Sequence, residues 1–266
     1  MRPIKSIATP LAAGMLLSLG LLLGCSGPEG SGAAVRTAEA ASSGEVSATP
    51  AATPTTLASA TPGVSASAAI VSQFPLDGLA GSVIIDSVNP EETIRARSGA
   101  GSGELLMISS STEERGHLNV SSNYGLEGEQ TYQADYSIVY RSGDKDQVLL
   151  KLPAFLFVQP TDRVLEFAAV PFAKAEVYLL APQYKSGHGL VAYAFAMDKE
   201  SGEVFPLSFK QDGIVHDTLV YSELPPFPAN QNEQLVVHSP VGAGGDPEPG
   251  PQLYELDLDK RQFVAQ

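Results

Sequence analysis

The chain has 266 residues, a formal net charge of -14 and a single cysteine. So large an acidic excess opposes binding to nucleic acid or to an anionic membrane surface, and one cysteine rules out an internal disulfide. Tryptophan is absent, and every Phe and Tyr lies after residue 72, so the side chains for a packed core are confined to the C-terminal part.

The first segment carries Arg2 and Lys5, then an uncharged apolar run from about Leu11 to Leu23, roughly 13 residues. A membrane-spanning helix needs about 20 apolar residues, whereas the apolar region of a secretory signal needs about 7–15. The run ends in Leu22-Leu23-Gly24-Cys25. With the basic start, this motif resembles the lipobox of bacterial lipoprotein precursors, over about the first tenth of the chain. The resemblance implies that residues 1–24 are a signal peptide, that the chain is cleaved before Cys25, and that the Cys25 sulfur carries a diacylglyceryl group. The alternative for the same residues is a plain secreted protein with an isolated thiol. One acyl chain gives only reversible attachment, while two or three hold a protein at a membrane without a spanning helix. The expected location is extracytoplasmic, lipid-anchored at a cell membrane or outer membrane. Ser26 after the cysteine does not resemble the aspartate that favours inner-membrane retention. Loss of Arg2 and Lys5 takes the charge from -14 to about -16.

Residues 25–72 are dominated by Ala, Ser, Thr, Gly and Pro, and Ala48-Thr49-Pro50, Ala52-Thr53-Pro54 and Ala60-Thr61-Pro62 repeat one tripeptide. Such a stretch buries too little apolar surface to offset the entropy of ordering it. It reads as a disordered tether, semi-extended where proline is dense.

Residues 73–266 read as one β-rich extracytoplasmic domain, or two small ones. The strand candidates, in chain order, are Thr93–Arg97, Glu104–Ser109, His117–Ser121, Tyr132–Tyr140, Gln147–Leu152, Phe155–Val158, Arg163–Val170, Glu176–Leu180, Val191–Met197, Glu203–Phe209, Thr218–Ser222, Gln234–His238 and Gln252–Leu258. Period-two alternation is clearest in Tyr132–Tyr140, in Val191–Met197, where large residues alternate with three alanines, and in Gln252–Leu258; alternation of this kind predicts half-buried strands. Arg163–Val170 also tolerates a helix. Ser98–Gly103 reads as a long flexible hairpin loop, Gly242–Pro251 as a mobile connection, and Leu224–Pro228 as a rigid extended link. About ten to twelve short antiparallel strands drawn from these thirteen candidates, without helices, predict an all-β fold, either a sandwich or a partial propeller-like repeat. Strand, loop, Tyr-bearing strand, turn and strand recur about 58–59 residues apart, with Gly143, Gly202 and the Asp259-Lys260-Arg261 segment at corresponding turns.

No catalytic signature is present: neither a G-x-S-x-G elbow, nor H-E-x-x-H, nor a Walker A loop. His117, His188, His216 and His238 stand singly, so no zinc site is expected. Asp257-Leu258-Asp259 is followed by Lys260 and Arg261, which oppose a cation, so calcium is not expected either. The exposed-aromatic candidates for a carbohydrate or peptide surface are Tyr124, Tyr184, Tyr221 and Phe227. The expected function is a non-catalytic binding or structural domain, held at the membrane through lipidated Cys25. Its expected partner is an envelope protein or polymer, with no cofactor, metal or nucleic acid. The alternative is an envelope hydrolase assembled from separated loops, using His188 or His238 with nearby acids. A solute-binding lipoprotein fits less well, because helical segments are missing.

Overall fold

The computed structural model describes residues 69–76, 78–240 and 250–266. Cys25 and the Leu22–Cys25 motif, almost all of the Ala/Ser/Thr/Pro-rich segment and most of the glycine-proline connection lie outside the described residues. Within them the protein is all-β: a short 3-10 turn, Gly78–Ser82, precedes sixteen strands.

Six strands form the first sheet: β1 (Val83–Asn89), β2 (Ile94–Ala100), β3 (Gly103–Ser109), β4 (Glu113–Leu118), β5 (Gln130–Ser142) and β6 (Lys145–Gln159). β5 is its spine. One edge of β5 pairs with β6 throughout, while β4 and β3 divide the other edge at Gln130–Gln133 and Tyr136–Arg141. β1 extends β4, and β2 extends β3.

The second sheet contains β7 (Ala168–Pro171), β8 (Ala175–Leu180), β9 (Leu190–Asp198), β10 (Val204–Gln211), β11 (Ile214–His216), β12 (Leu219–Tyr221), β13 (Ala229–Gln231), β14 (Gln234–Val237), β15 (Gln252–Asp257) and β16 (Gln262–Ala265). Its order is β7-β8-β9-β10-β16-β15-β14-β13, antiparallel except at β10–β16. β11 folds back on the end of β10, and β12 continues that edge along the start of β9. The outer strands approach each other: Asn230 Nδ2 donates to Pro171 O at 2.6 Å, and Ala173 N donates to the Glu233 carboxylate at 2.8 Å. The sheet is therefore a nearly closed barrel, its seam bridged by side chains rather than by a ladder.

Two cores follow from this geometry. The barrel interior holds Ala192, Ala194 and Ala196 of β9 with Val177, Phe205, Phe209, Leu235 and Phe263. The first sheet packs on the barrel's outer face through Met107, Tyr136, Ile138 and Phe157 against Tyr178, Leu180, Phe195 and Val204. β9 is thus buried on both faces over much of its length. Its alanines do not face solvent, as half-burial would require, but fill a narrow barrel that admits only small side chains there. β5 also departs from simple alternation, because Thr131, Gln133, Ser137 and Val139 on its second face are buried too.

Several boundaries differ from the sequence reading. Ser98–Gly103 is no long loop: β2 runs to Ala100, β3 begins at Gly103, and Gly101 takes a positive φ of 56° in a two-residue turn. Gln147–Leu152 and Phe155–Val158 join into one strand across Pro153. The regular strand near Arg163–Val170 begins only at Ala168, although Leu165 bridges to Ala96 in parallel. Short or poorly alternating β1, β11, β13 and β16 were not among the expected strands and raise the count to sixteen. The 59-residue recurrence is visible as three antiparallel meanders, β4-β5-β6, β8-β9-β10 and β14-β15-β16, with Gly143, Gly202 and Arg261 all at positive φ. The second and third do not stand apart as blades, because β10 and β16 pair and merge them into one sheet.

The first sheet also encloses a buried ion pair. A bulge between Ile94 and Ala96 makes Arg95 the extra residue of β2 and aims its side chain across the sheet. Arg95 is 5% exposed and Glu113 is 0% exposed. Glu113 accepts from Arg95 Nε and Nη2 at 2.7 and 2.6 Å, from Tyr136 Oη at 2.7 Å, from Thr93 Oγ1 at 2.9 Å and from Arg115 Nε at 2.9 Å. The Arg95 guanidinium lies 3.8 Å from the centre of the Tyr132 ring and donates through Nη1 to Asp162 at 2.8 Å. Burial by itself raises the Glu113 carboxyl pKa, but the hydrogen bonds of Arg95, Tyr136 and Thr93 and the Arg95 charge outweigh it and hold the value at about 2. Burial and the Glu113 charge push the Tyr136 phenol far up.

Removing one partner of such a pair leaves the other charged and unsolvated. Glu113→Ala is expected to cost about 3–5 kcal/mol, and Asp162→Ala, at an exposed position, no more than about 1 kcal/mol; urea unfolding of both variants measures the difference. Glu113 is lowered on folding, so its contribution is complete above the unfolded carboxyl range of about 4.3 and is lost as pH falls toward 2. Urea midpoints between pH 2 and 7 are expected to fall less steeply with acid in Glu113→Gln than in the wild-type chain.

Candidate functional site: two cavities around Gln183

The first cavity grows from an irregularity in β6. Ala134 pairs with Phe155 and Tyr136 with Leu152, so Pro153 and Ala154 together stand opposite Asp135 alone and β6 carries one extra residue. Ala154 takes a φ of 48°, donates its N–H to Asp135 Oδ1 at 2.7 Å and accepts from Gln133 Nε2 at 3.3 Å. A proline that cannot donate to a ladder is tolerated at such a bulge. Beyond it, Phe155 and Leu156 line a cavity of about 420 Å³ with Pro75, Leu79, Val191 and Tyr193. Burial alone pushes the Tyr193 phenol up.

Gln183 is the wall between this cavity and the next. Its Oε1 accepts from Val158 N at 2.9 Å, and its Nε2 donates to Tyr124 O at 2.7 Å and Lys185 O at 2.8 Å. One side chain thus ties the end of β6 to two loops.

The second cavity, about 600 Å³, is the mouth of the barrel. Ala168 at the start of β7, Leu179 near the end of β8, Leu190 at the start of β9 and Tyr221 at the end of β12 all line it. Antiparallel neighbours bring these termini to one end of the sheet. Tyr221 and Phe227 meet edge-on with centroids 6.4 Å apart. Tyr184 donates to Glu129; burial together with that bond pushes its phenol up to about 12. Gly189 lines the first cavity and has a φ of 89°, with an ideal Cβ that would fall 2.7 Å from Tyr221 O and 2.3 Å from Pro240 Cγ.

The aromatic residues expected at a binding surface are here. Tyr184, Tyr221 and Phe227 meet at the mouth, and Tyr124 lines the first cavity. The histidines are elsewhere or unengaged: His117 bonds Asp86 at 2.8 Å on the surface, while the side chains of His188, His216 and His238 make no hydrogen bond among the described residues. Among the described residues no three His, Cys, Asp or Glu side chains are grouped to hold a metal. Asp257 is held by Lys260 at 2.5 Å, and that hydrogen bond lowers its carboxyl pKa. Asp198, at the equivalent turn, accepts from Glu200 N and Ser201 N. Gln133, Gln159 and Gln183 were not identifiable as wall residues from sequence, because each is defined by partners distant along the chain. The chain matches no protein-family model, no curated protein and no solved structure.

Gly189→Ala combines a strained φ with a backbone clash and is expected to destabilise the protein by about 2–4 kcal/mol. A shift of the urea midpoint at unchanged slope reads this out.

Proposed function

We propose that the protein is a lipid-anchored extracytoplasmic binding protein. In this reading Cys25 carries the anchor, residues 26–72 hold the domain away from the membrane, and residues 73–266 bind an envelope component. The observation that carries the binding half is the pair of concave sites around Gln183, each mostly apolar with a few convergent polar groups. Small-molecule and partner sites share this character, and the mouths of β-barrels are a preferred place for them. The anchor half is supported by the Leu22-Leu23-Gly24-Cys25 motif after a basic start and an apolar run too short to span.

Each half has its own test. In a bacterial host fed an alkyne-tagged fatty acid, the wild-type chain is expected to take up label and sediment with membranes, and Cys25→Ser to lose both properties; an unlabelled, soluble wild-type chain would remove the anchor. For the binding half, the whole chain carrying Cys25→Ser is heated with protein, polysaccharide and low-molecular-mass envelope fractions. One fraction is expected to raise the melting temperature; a ligand at a hundred times its Kd contributes about 2.7 kcal/mol. Val191→Arg, on the exposed rim of the first cavity, or Phe227→Ala, on that of the second, should abolish the gain. No shift with any fraction would count against a binding role.

A further inference from the structure

One rung of the first sheet is left open beside the first cavity. Val158 donates its N–H to Gln183 Oε1 at 2.9 Å and not to β5, so its backbone polar groups face the outer edge of β6. Leu156 stands two residues away, and the register with β5 does not shift between them. In an antiparallel pair, residues that bond their partner strand alternate with residues that face away from it. The Leu156 N–H and C=O therefore face the outer edge too. The far side of β5 gives the same answer: Leu118 N donates to Glu129 O, which turns Glu129, Thr131 and Gln133 toward β4, and Gln133 is the residue opposite Leu156. On that outer edge Ala154 spends its N–H on Asp135 and its C=O on Gln133, and Gln183 covers the Val158 N–H. Between them, the Leu156 N–H and C=O have no partner among the described residues. The cavity of about 420 Å³ lies over this rung. Ala154, Leu156 and Gln183 line it, and so does Phe155, whose ring meets Tyr193 edge-on with centroids 6.4 Å apart. Neighbours along a strand point to opposite faces, so both faces of β6 border the cavity, which places it along the strand's edge.

We propose that this rung binds an extended segment of a separate basic polypeptide, one residue of which exchanges backbone hydrogen bonds with Leu156 and lays an apolar side chain into the cavity. This deepens the binding-protein reading above and rests on it. Each part of the partner's description has its own source. Strand addition to a free sheet edge takes its affinity from main-chain hydrogen bonds and its specificity from pockets beside the edge. In an antiparallel hydrogen-bonded pair, one partner residue accepts from the Leu156 N–H and donates its own N–H to the Leu156 oxygen. No Asp, Glu, Lys, Arg or His lines the cavity, and Phe155, Val191 and Tyr193 give it an apolar wall, so the inserted side chain is uncharged and apolar. The chain's net charge of -14 favours basic residues on either side of it. Ala154 and Gln183 bound the window, which limits the pairing to one residue and keeps it from spreading along β6.

The probes are end-capped pentapeptides with leucine, valine or phenylalanine between two pairs of lysines, each matched by an ester analogue in which oxygen replaces the N–H of the central residue. The whole chain with Cys25→Ser is titrated with each at physiological ionic strength, which screens loose charge attraction, and followed by amide NMR and hydrogen exchange. At least one peptide is expected to bind about fivefold to tenfold more tightly than its ester, the value of one hydrogen bond. The Leu156 amide is expected to exchange freely in the chain alone and at least about tenfold more slowly with peptide bound, while the Phe157 amide, in the β5 ladder, is protected in both. Leu156→Pro removes an N–H that the sheet does not use, so it should weaken the peptide about fivefold to tenfold. Val191→Arg, which leaves the rung intact, should abolish binding by charging the apolar wall. A Leu156 amide already protected in the chain alone would mean that the chain fills this edge itself and would overturn the proposal. Equal binding of peptide and ester, or binding that leaves Leu156 unprotected, would overturn the pairing while leaving the binding-protein reading intact. Binding of no peptide would overturn the proposal, and the fraction screen above would then decide the broader reading separately.

Discussion

The ion pair between Arg95 and Glu113 is the constraint on which the first sheet is organised. β3 and β4 both hang from the same edge of β5, so β2 and β1 extend the sheet along two different arms. Backbone pairing does not join those arms. Arg95 on β2 and Glu113 on β4 do, with Tyr136 on β5 between them. The same guanidinium reaches Asp162, in the segment that leaves β6 for the barrel. Leu165 in that segment then pairs with β2 through Leu165 N to Arg95 O at 2.8 Å and Arg97 N to Leu165 O at 2.9 Å. The start of β7, and with it one side of the barrel mouth, is thereby positioned from the first sheet. Such a pair adds less net stability than its contacts suggest, because both charges were solvated before folding. Its structural consequence is register: a slipped strand would strand a charge in the core.

The barrel imposes a second constraint, on size. Its interior is filled by side chains, which leaves less room inside for a ligand than a wide barrel offers. Ala192, Ala194 and Ala196 let the wall curve tightly, while Tyr193, Phe195 and Met197 on the opposite face of the same strand meet the first sheet. The cavities therefore lie beside the filled barrel. One is at its mouth, and the other lies between the bulged part of β6 and the outward face of β9. Gln183 separates them by satisfying groups on both sides.

Long unpaired edges are handled in keeping with this economy of closure. β6 pairs on one side only, yet Gln147 donates to Val204 O at 3.0 Å and Gln183 accepts from Val158 N. The bulge at Pro153 and Ala154 interrupts the remaining edge, where an unbroken row of free donors and acceptors would invite another strand. At the barrel seam, Asn230 and Glu233 serve the corresponding role for β7.

Much of this architecture is local and was legible in the sequence. Alternation placed β5, β9 and β15, and Gly143, Gly202 and the Asp259–Arg261 segment marked three turns. The Leu22-Leu23-Gly24-Cys25 motif is likewise local and carries an expectation for Cys25, which lies outside the described residues. What the sequence did not disclose depends on partners far along the chain. Whether an alanine faces solvent or a barrel interior is invisible to a period of two, which fixes opposite faces but not what covers them. The parallel pairing of β10 with β16, the capture of Arg95 by Glu113 and the open rung at Leu156 belong to the same class. The physical reason is common to all of them: backbone sterics and side-chain alternation act over a few residues and select the strand, whereas burial and hydrogen-bond satisfaction act between segments brought together only by the fold.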